Sequence, residues 1–159
     1  DALDLNEFRV RKLVDTLERL NLSARVLTGN AANPSSWWDK QPYDRILLDA
    51  PCSASGIVRR HPDIKIRSNP ELIAKTCKSQ YDLLRALWPL LKRDGILVYC
   101  TCSVFKEENT DQMIRFLEET PDAKALSWEA PWGIAQPVGR QILPKQDRDG
   151  FYYARVIKS

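Results

Sequence analysis

An α/β fold, with a parallel sheet carrying helices on both faces, is the architecture this chain predicts. Three observations lead there. Short apolar runs alternate with longer stretches of helical spacing, the order in which strands and crossover helices build a parallel sheet. The 159 residues suffice for one ordinary domain with a buried core. Hydrophobic residues at 43% and charged residues at 28% exclude a disordered tail.

The elements follow in order. Residues 1–5 form a brief opening strand. Over 7–20 the apolar residues Val10, Leu13, Val14, Leu17 and Leu20 recur at helical spacing, with Asn6 as N-cap and Asn21 as stop. Residues 24–28 are a second strand, ended by Gly29-Asn30. Residues 44–48 are a third, and the continuous run Ile46, Leu47, Leu48 is that of a strand covered on both faces. Asn69 caps a long helix opening on Pro70, with Ile73, Cys77, Tyr81, Leu84, Trp88 and Leu91 on one stripe and Pro89 kinking the last turn. A strand over 95–100 and a helix over 106–119 come next, the latter turning Met113, Ile114 and Leu117 inward. The β-rich run 151–157 closes the chain.

Composition narrows the function classes. No apolar run approaches the roughly 20 residues of a membrane helix, and the first residues do not read as a signal peptide. A net charge of +3 permits an anionic partner without selecting one. The four cysteines (Cys52, Cys77, Cys100, Cys102) are too few and too unevenly placed for a secreted disulfide scaffold, so they read as reduced thiols of a cytoplasmic protein.

In such sheets, ligands bind beyond the carboxyl ends of the strands. That rule selects Asp4, Gly29-Asn30, Asp49 to Ser53, and Thr101 to Ser103. Asp4 is placed either to hold a ribose or simply to cap the helix that follows. Asp49-Ala50-Pro51-Cys52-Ser53 puts a carboxylate and a thiol at a strand mouth, although a free cysteine there is as often a buried small hydrophobe. Thr101-Cys102-Ser103 ends the next strand and should lie beside it. A helix just after Cys102 would favour its thiolate through the helix dipole. Cys77 and Cys100 occupy stripe and strand-interior positions and are assigned to the core. The cysteine spacings fit no zinc site, His61 is the only histidine, and no Cys-x-x-Cys is present, so no metal and no thioredoxin-type chemistry is expected. Arg59, Arg60, His61, Lys65 and Arg67 form a basic stretch, either a solvated loop or a phosphate-contact surface.

The run Asp44-Arg45-Ile46-Leu47-Leu48-Asp49-Ala50-Pro51-Cys52-Ser53-Ala54-Ser55-Gly56, then Arg59-Arg60-His61-Pro62-Asp63, resembles bacterial RNA cytosine-5 methyltransferases. So do Thr101-Cys102-Ser103 followed by Glu107-Glu108-Asn109, and the closing Asp149-Gly150-Phe151-Tyr152-Tyr153-Ala154. The likeness runs through nearly the whole chain and is weakest over 121–146. It implies a Rossmann-like methyltransferase sheet that uses S-adenosyl-L-methionine. By this resemblance Cys102 is the nucleophile that adds to carbon 6 of the target cytosine, and Asp49 hydrogen-bonds ring nitrogen 3. Cys52 assists the later elimination, Asp4 holds the cofactor ribose, Asn30 contacts the adenine, and Asp49 also belongs to the cofactor-binding set. Arg59, Arg60, His61 and Lys65 touch RNA. DNA cytosine methyltransferases use the Pro-Cys thiol as nucleophile and lack the Thr-Cys one, so the presence of both favours RNA, with small-subunit ribosomal RNA the expected target. The catalytic motifs are shared with transfer-RNA enzymes, and a methyltransferase acting on transfer RNA or protein stays open. So does a non-catalytic RNA-binding module.

The resemblance also has departures. The family carries Asp where this chain has Asn30, whose amide oxygen can still accept a hydrogen bond. The family's first strand and glycine-rich cofactor loop would precede Asp1, as would an N-terminal RNA-binding domain. Residues 1–159 are therefore expected to be a partial catalytic domain, whose missing strand lies centrally, between those ending at Asp4 and Asp49.

Overall fold

In the computed structural model, which describes residues 1–159, the chain divides into two compact units, 1–41 and 42–159. The first holds two parallel strands, β1 (Ala2–Asp4) and β2 (Val26–Thr28), in the register Asp4 to Thr28. The crossover between them is helix α1 (Glu7–Arg19). Its start is the predicted one: Asn6 Oδ1 accepts from the amides of Phe8 at 2.9 Å and Arg9 at 3.2 Å, satisfying donors that have no partner inside the helix. Asn21 ends it in the left-handed region at φ 52°. The apolar stripe is not deeply buried. Val10, Leu13 and Leu17 are half-buried, while Val14 and Leu20 are exposed.

The second unit is a six-stranded sheet. Strand β3 (Tyr43–Asp49) pairs in parallel with β4 (Leu91–Thr101), and β4 pairs antiparallel with β8 (Phe151–Lys158). The far edge of β8 takes β5 (Ala123–Leu126) and β7 (Arg140–Ile142), and β6 (Ile134–Ala135) pairs with β7. The sheet is thus mixed, where the sequence predicts a parallel one. The physical reason lies in the connections. A helix α4 (Thr110–Glu119) links β4 to β5, and strands joined by a crossover helix run the same way. No helix lies between β5 and β8, so β8 returns and inserts antiparallel between β4 and β5.

One face of this sheet is dry. Leu97, Tyr99, Tyr152, Ala154 and Val156 have no exposed surface and pack with Leu84 of α3 (Pro70–Leu87) and Met113 and Phe116 of α4, equally buried. Trp88 meets Phe116 edge-on, with ring centroids 5.3 Å apart. The other face carries an aromatic loop, with Trp128 and Trp132 beside Val98, Ile142 and Tyr153. Leu47 lies outside both layers. It is 70% exposed while Leu48, on the dry face, is 6% exposed, so β3 is not covered on both faces as its apolar run suggests. β3 is an edge strand, and the aromatic loop stops short of it.

Two helix boundaries also differ from expectation. The stripe through Leu91 does not stay helical: α3 ends at Leu87, Trp88–Leu90 tighten into a 3₁₀ turn around Pro89, and Leu91 already belongs to β4. Proline has no N–H to continue the ladder, so the chain leaves the helix there. Trp88 and Leu91 are buried all the same. The helix expected over 106–119 is a 3₁₀ turn, Lys106–Glu108, followed by α4. None of the helices is long and apolar enough to cross a membrane.

β1 hydrogen-bonds only β2, and β3 only β4, so each keeps one unpaired edge. The Ala50 amide donates to the Cys100 carbonyl at 2.9 Å, and alternation along the strand then points the amides of Leu48 toward β4 and of Leu47 and Asp49 away. Hydrogen exchange of this chain should show Leu47 and Asp49 exchanging much faster than Leu48 and Leu97; equal protection along β3 would show that its outer edge is paired.

Candidate active site

Adjacent parallel strands bring Cys52 and Cys102 together. Asp49 and Cys100 are register partners at the ends of β3 and β4, and the loops beyond them are stitched by backbone bonds on both sides of the thiols. Ala50 N donates to Cys100 O at 2.9 Å, and Gly56 N donates to Cys102 O at 2.8 Å. Between these bonds the two sulfurs lie 3.4 Å apart. Glycine is required at 56, because a Cβ there would sit 2.2 Å from the Gly150 carbonyl oxygen and 2.8 Å from that of Cys102. Gly150 N closes the arrangement by donating to Gly56 O at 2.8 Å.

A buried polar cluster fixes the loop from below. Glu108 has no exposed surface. Its Oε1 accepts from the Ser53 amide at 2.8 Å and from Thr76 Oγ1 at 2.7 Å, and its Oε2 from Ser53 Oγ at 2.6 Å. Gln80 Nε2 adds a bond to Glu108 Oε1 at 3.2 Å and another to the Pro51 carbonyl at 2.9 Å. Ser53, Ser55 and Ser103 hydroxyls lie within 3.1–3.3 Å of one another. Asn109 donates to the Ser103 carbonyl at 2.9 Å and accepts from Thr101 Oγ1 at 2.6 Å. Glu108 and Ser53 lie inside the family-like motifs, but the sequence assigns neither a task. The available signal was an acid three residues past a strand-end loop, in a turn of otherwise ordinary polarity, and nothing local says that it is buried.

The two thiols differ in acidity. Cys102 is held below the ordinary thiol range, chiefly because the Cys52 S–H donates to its sulfur; burial and the Asp49 and Glu108 carboxylates oppose this. Cys52 is raised by the same bond and by burial. The cause is therefore the neighbouring thiol and not a helix dipole, since α4 begins only at Thr110 and a 3₁₀ turn intervenes. Arg60 lies within electrostatic reach of Cys102. Burial raises Cys100 to about 12, and its S–H lies 3.7 Å from Asp49 Oδ1. Burial likewise raises Cys77 to about 11, although that thiol is only half-buried and not fully in the core.

The basic stretch is anchored. Arg60 Nη2 pairs with Asp149 Oδ2 at 2.6 Å, and Arg59 Nη2 with Asp149 Oδ1 at 3.7 Å, while both side chains stay about half-exposed. His61 and Lys65 are exposed, Lys65 on the short helix α2 (Ile64–Arg67). Arg67 pairs with Asp63 at 3.3 Å. Asp4 and Asn30 belong to the first unit and stand near one another, since the Gly29 amide donates to the Asp4 carbonyl at 3.0 Å. Asp4 Oδ1 accepts from the Asn6 amide at 2.8 Å and from Arg9 Nε at 3.1 Å, so it does brace the start of α1. Asn30 Oδ1 accepts from the Ala32 amide at 2.9 Å.

Comparison with known proteins follows the same lines. The family described as 16S rRNA methyltransferase RsmB/F matches residues 1–157. Ribosomal RNA small subunit methyltransferase B of Vibrio vulnificus (strain YJ016) is 47% identical over 158 residues, covering 99% of this chain and 36% of the relative. The crystal structure of PH0851 superposes with a TM-score of 0.90 at 30% identity, covering 99% of this chain and 36% of that one. That of NSun6 from Pyrococcus horikoshii with SFG gives a TM-score of 0.85 at 26% identity, covering 99% of this chain and 40% of that one. The chain thus spans a little over a third of the length of these proteins.

Two outcomes test the site as built. Glu108→Ala strands the donors of Ser53, Thr76 and Gln80 in the interior and should cost about 3 kcal/mol, or about 10 °C in Tm for a chain of this size; an unchanged melting curve would mean that the cluster is not closed. Cys52→Ala removes the donor to Cys102, so the pH midpoint of Cys102 alkylation should move up and the rate at neutral pH should fall. A midpoint that stays put would assign the lowered acidity to something other than Cys52.

Proposed function

The chain belongs to the RsmB/F family of 16S rRNA methyltransferases, and on that premise we propose that it is catalytic machinery for methylating carbon 5 of a cytosine in small-subunit ribosomal RNA. The observation that carries this reading is the thiol pair at 3.4 Å, one sulfur favoured as thiolate and the other as thiol, beside a strand-end carboxylate. Carbon 5 of cytosine is a poor nucleophile unaided, and covalent activation is the chemistry such a pair suits.

In this reading Cys102 attacks carbon 6 of a base withdrawn from its stack. The addition breaks aromaticity and makes carbon 5 an enamine-like nucleophile. Asp49 hydrogen-bonds ring nitrogen 3 and stabilises the charge that develops there. In the elimination that follows, carbon 5 loses its proton, the bond from carbon 6 to sulfur breaks and Cys102 leaves as thiolate, a step that Cys52 assists. S-adenosyl-L-methionine, when bound, supplies the electrophilic methyl group. The donor set of the first unit suits that cofactor: the contacts described for the Asp4 carboxylate fall on Oδ1, which leaves Oδ2 for a ribose hydroxyl, and the Asn30 amide suits the adenine edge. Arg59, Arg60, His61 and Lys65 would meet RNA phosphates, the two arginines presented by Asp149.

The complete gene product tests this directly. Cys102→Ala should abolish methyl transfer, and normal turnover by that variant would overturn the nucleophile assignment. Cys52→Ala should accumulate a covalent protein–RNA adduct, visible as a denaturation-resistant band shift that Cys102→Ala removes. Clean turnover without adduct would remove Cys52 from the elimination step.

A further inference from the structure

We propose that Cys52 and Cys102 form a reversible disulfide on exposure to a hydroperoxide, making the thiol pair a modification site as well as the machinery for the proposed methyl transfer. The geometry is the ground for this. The sulfurs are 3.4 Å apart, and a disulfide of about 2.0 Å asks them to close by about 1.4 Å. The Ala50–Cys100 and Gly56–Cys102 backbone bonds flank the pair, so neither loop can drift from the other. The segment from Ala50 to Ala54 has no regular secondary structure, so Cys52 is not held in a helix or a strand ladder. Both thiols keep some exposure to solvent.

The chemistry balances with the hydroperoxide as sole oxidant. The Cys102 thiolate attacks the terminal peroxide oxygen; the O–O bond breaks, hydroxide or alkoxide leaves, and the sulfur, oxidised by two electrons, becomes a sulfenic acid. The Cys52 sulfur then attacks the Cys102 sulfur. The S–O bond breaks, and the departing hydroxide takes the Cys52 proton as water. With hydrogen peroxide, two thiols and one peroxide yield one disulfide and two waters. The asymmetry between the thiols assigns the steps, since the more acidic Cys102 reacts first and Cys52 resolves. Cys77 and Cys100 are not partners. Burial raises both, Cys77 faces the Glu107 carbonyl at 3.3 Å, and Cys100 is engaged with Asp49.

The test needs no substrate. The chain is treated with hydrogen peroxide in its native state, its free thiols are then alkylated under denaturing conditions, and its peptides are weighed. A Cys52–Cys102 linked peptide, lighter by two hydrogens, should form while Cys77 and Cys100 remain alkylatable, and dithiothreitol should restore all four thiols. In Cys52→Ser, whose fold is checked by circular dichroism, Cys102 should stop as a dimedone-trappable sulfenic acid. In Cys102→Ser, Cys52 should survive as free thiol. Oxidation of Cys102 to sulfinic or sulfonic acid without the linked peptide would overturn the proposal, as would linkage to Cys77, to Cys100 or only between chains. The functional consequence rests on the methyl-transfer reading: the oxidised complete gene product should lose activity and regain it with dithiothreitol. A linked peptide in a protein that never forms an RNA adduct would count against that reading and leave the disulfide standing.

Discussion

A carboxylate sealed from water lies beneath the loop that carries Cys52, and the positions of both sulfurs hang on it. An unpaired charged group in the interior costs several kcal/mol, so Glu108 is tolerable only while its partners stay in place. Those partners come from two elements: Ser53 from the thiol loop, and Thr76 and Gln80 from successive turns of α3. Gln80 also holds the Pro51 carbonyl, and Tyr99 of β4 donates to the Glu108 carbonyl at 2.6 Å. Sheet, helix and loop are therefore locked to a common point.

Against that frame the electrostatics of the thiols is a competition. Asp49 and Glu108 both oppose a negative sulfur, as does burial. What tips the balance for Cys102 is the S–H of Cys52, a donor that exists only because two strand-end loops are held in register. The same proximity that favours the thiolate proposed to add to a base supplies the thiol proposed to release it, and it also places the two sulfurs where an oxidant is proposed to join them. One structural fact, the 3.4 Å separation, thus underlies the proposed catalysis and the proposed oxidation.

The anchoring of the basic stretch has a similar economy. Asp149 stands at the entry to β8, next to Gly150, whose backbone contacts Gly56 in the thiol loop. Arg60 therefore reports to the same three-way junction as Cys102. Its lowering effect on the Asp149 carboxyl, through a direct hydrogen bond, is the counterpart of that attachment. The half-exposed guanidinium remains available to an outside anion.

Elements whose signals are local can be read from the amino-acid order alone. Asn6 and Asn69 cap helices because a short side-chain oxygen reaches amides two or three residues on, and that needs no knowledge of the fold. Adjacent strands ending at Asp49 and Cys100 are legible too, since consecutive strands joined by a helical crossover pair in parallel. That pairing sets the two cysteines side by side. Features that depend on partners distant along the chain emerge only in the folded molecule. The antiparallel insertion of β8, the exposure of Leu47 on an edge strand, the burial of Glu108 among donors 28 to 55 residues away and the thiol origin of the Cys102 shift all arise from contacts that periodicity and motif spacing do not encode. Hydrogen bonds and burial are properties of neighbours in space, whereas composition and spacing report neighbours along the chain.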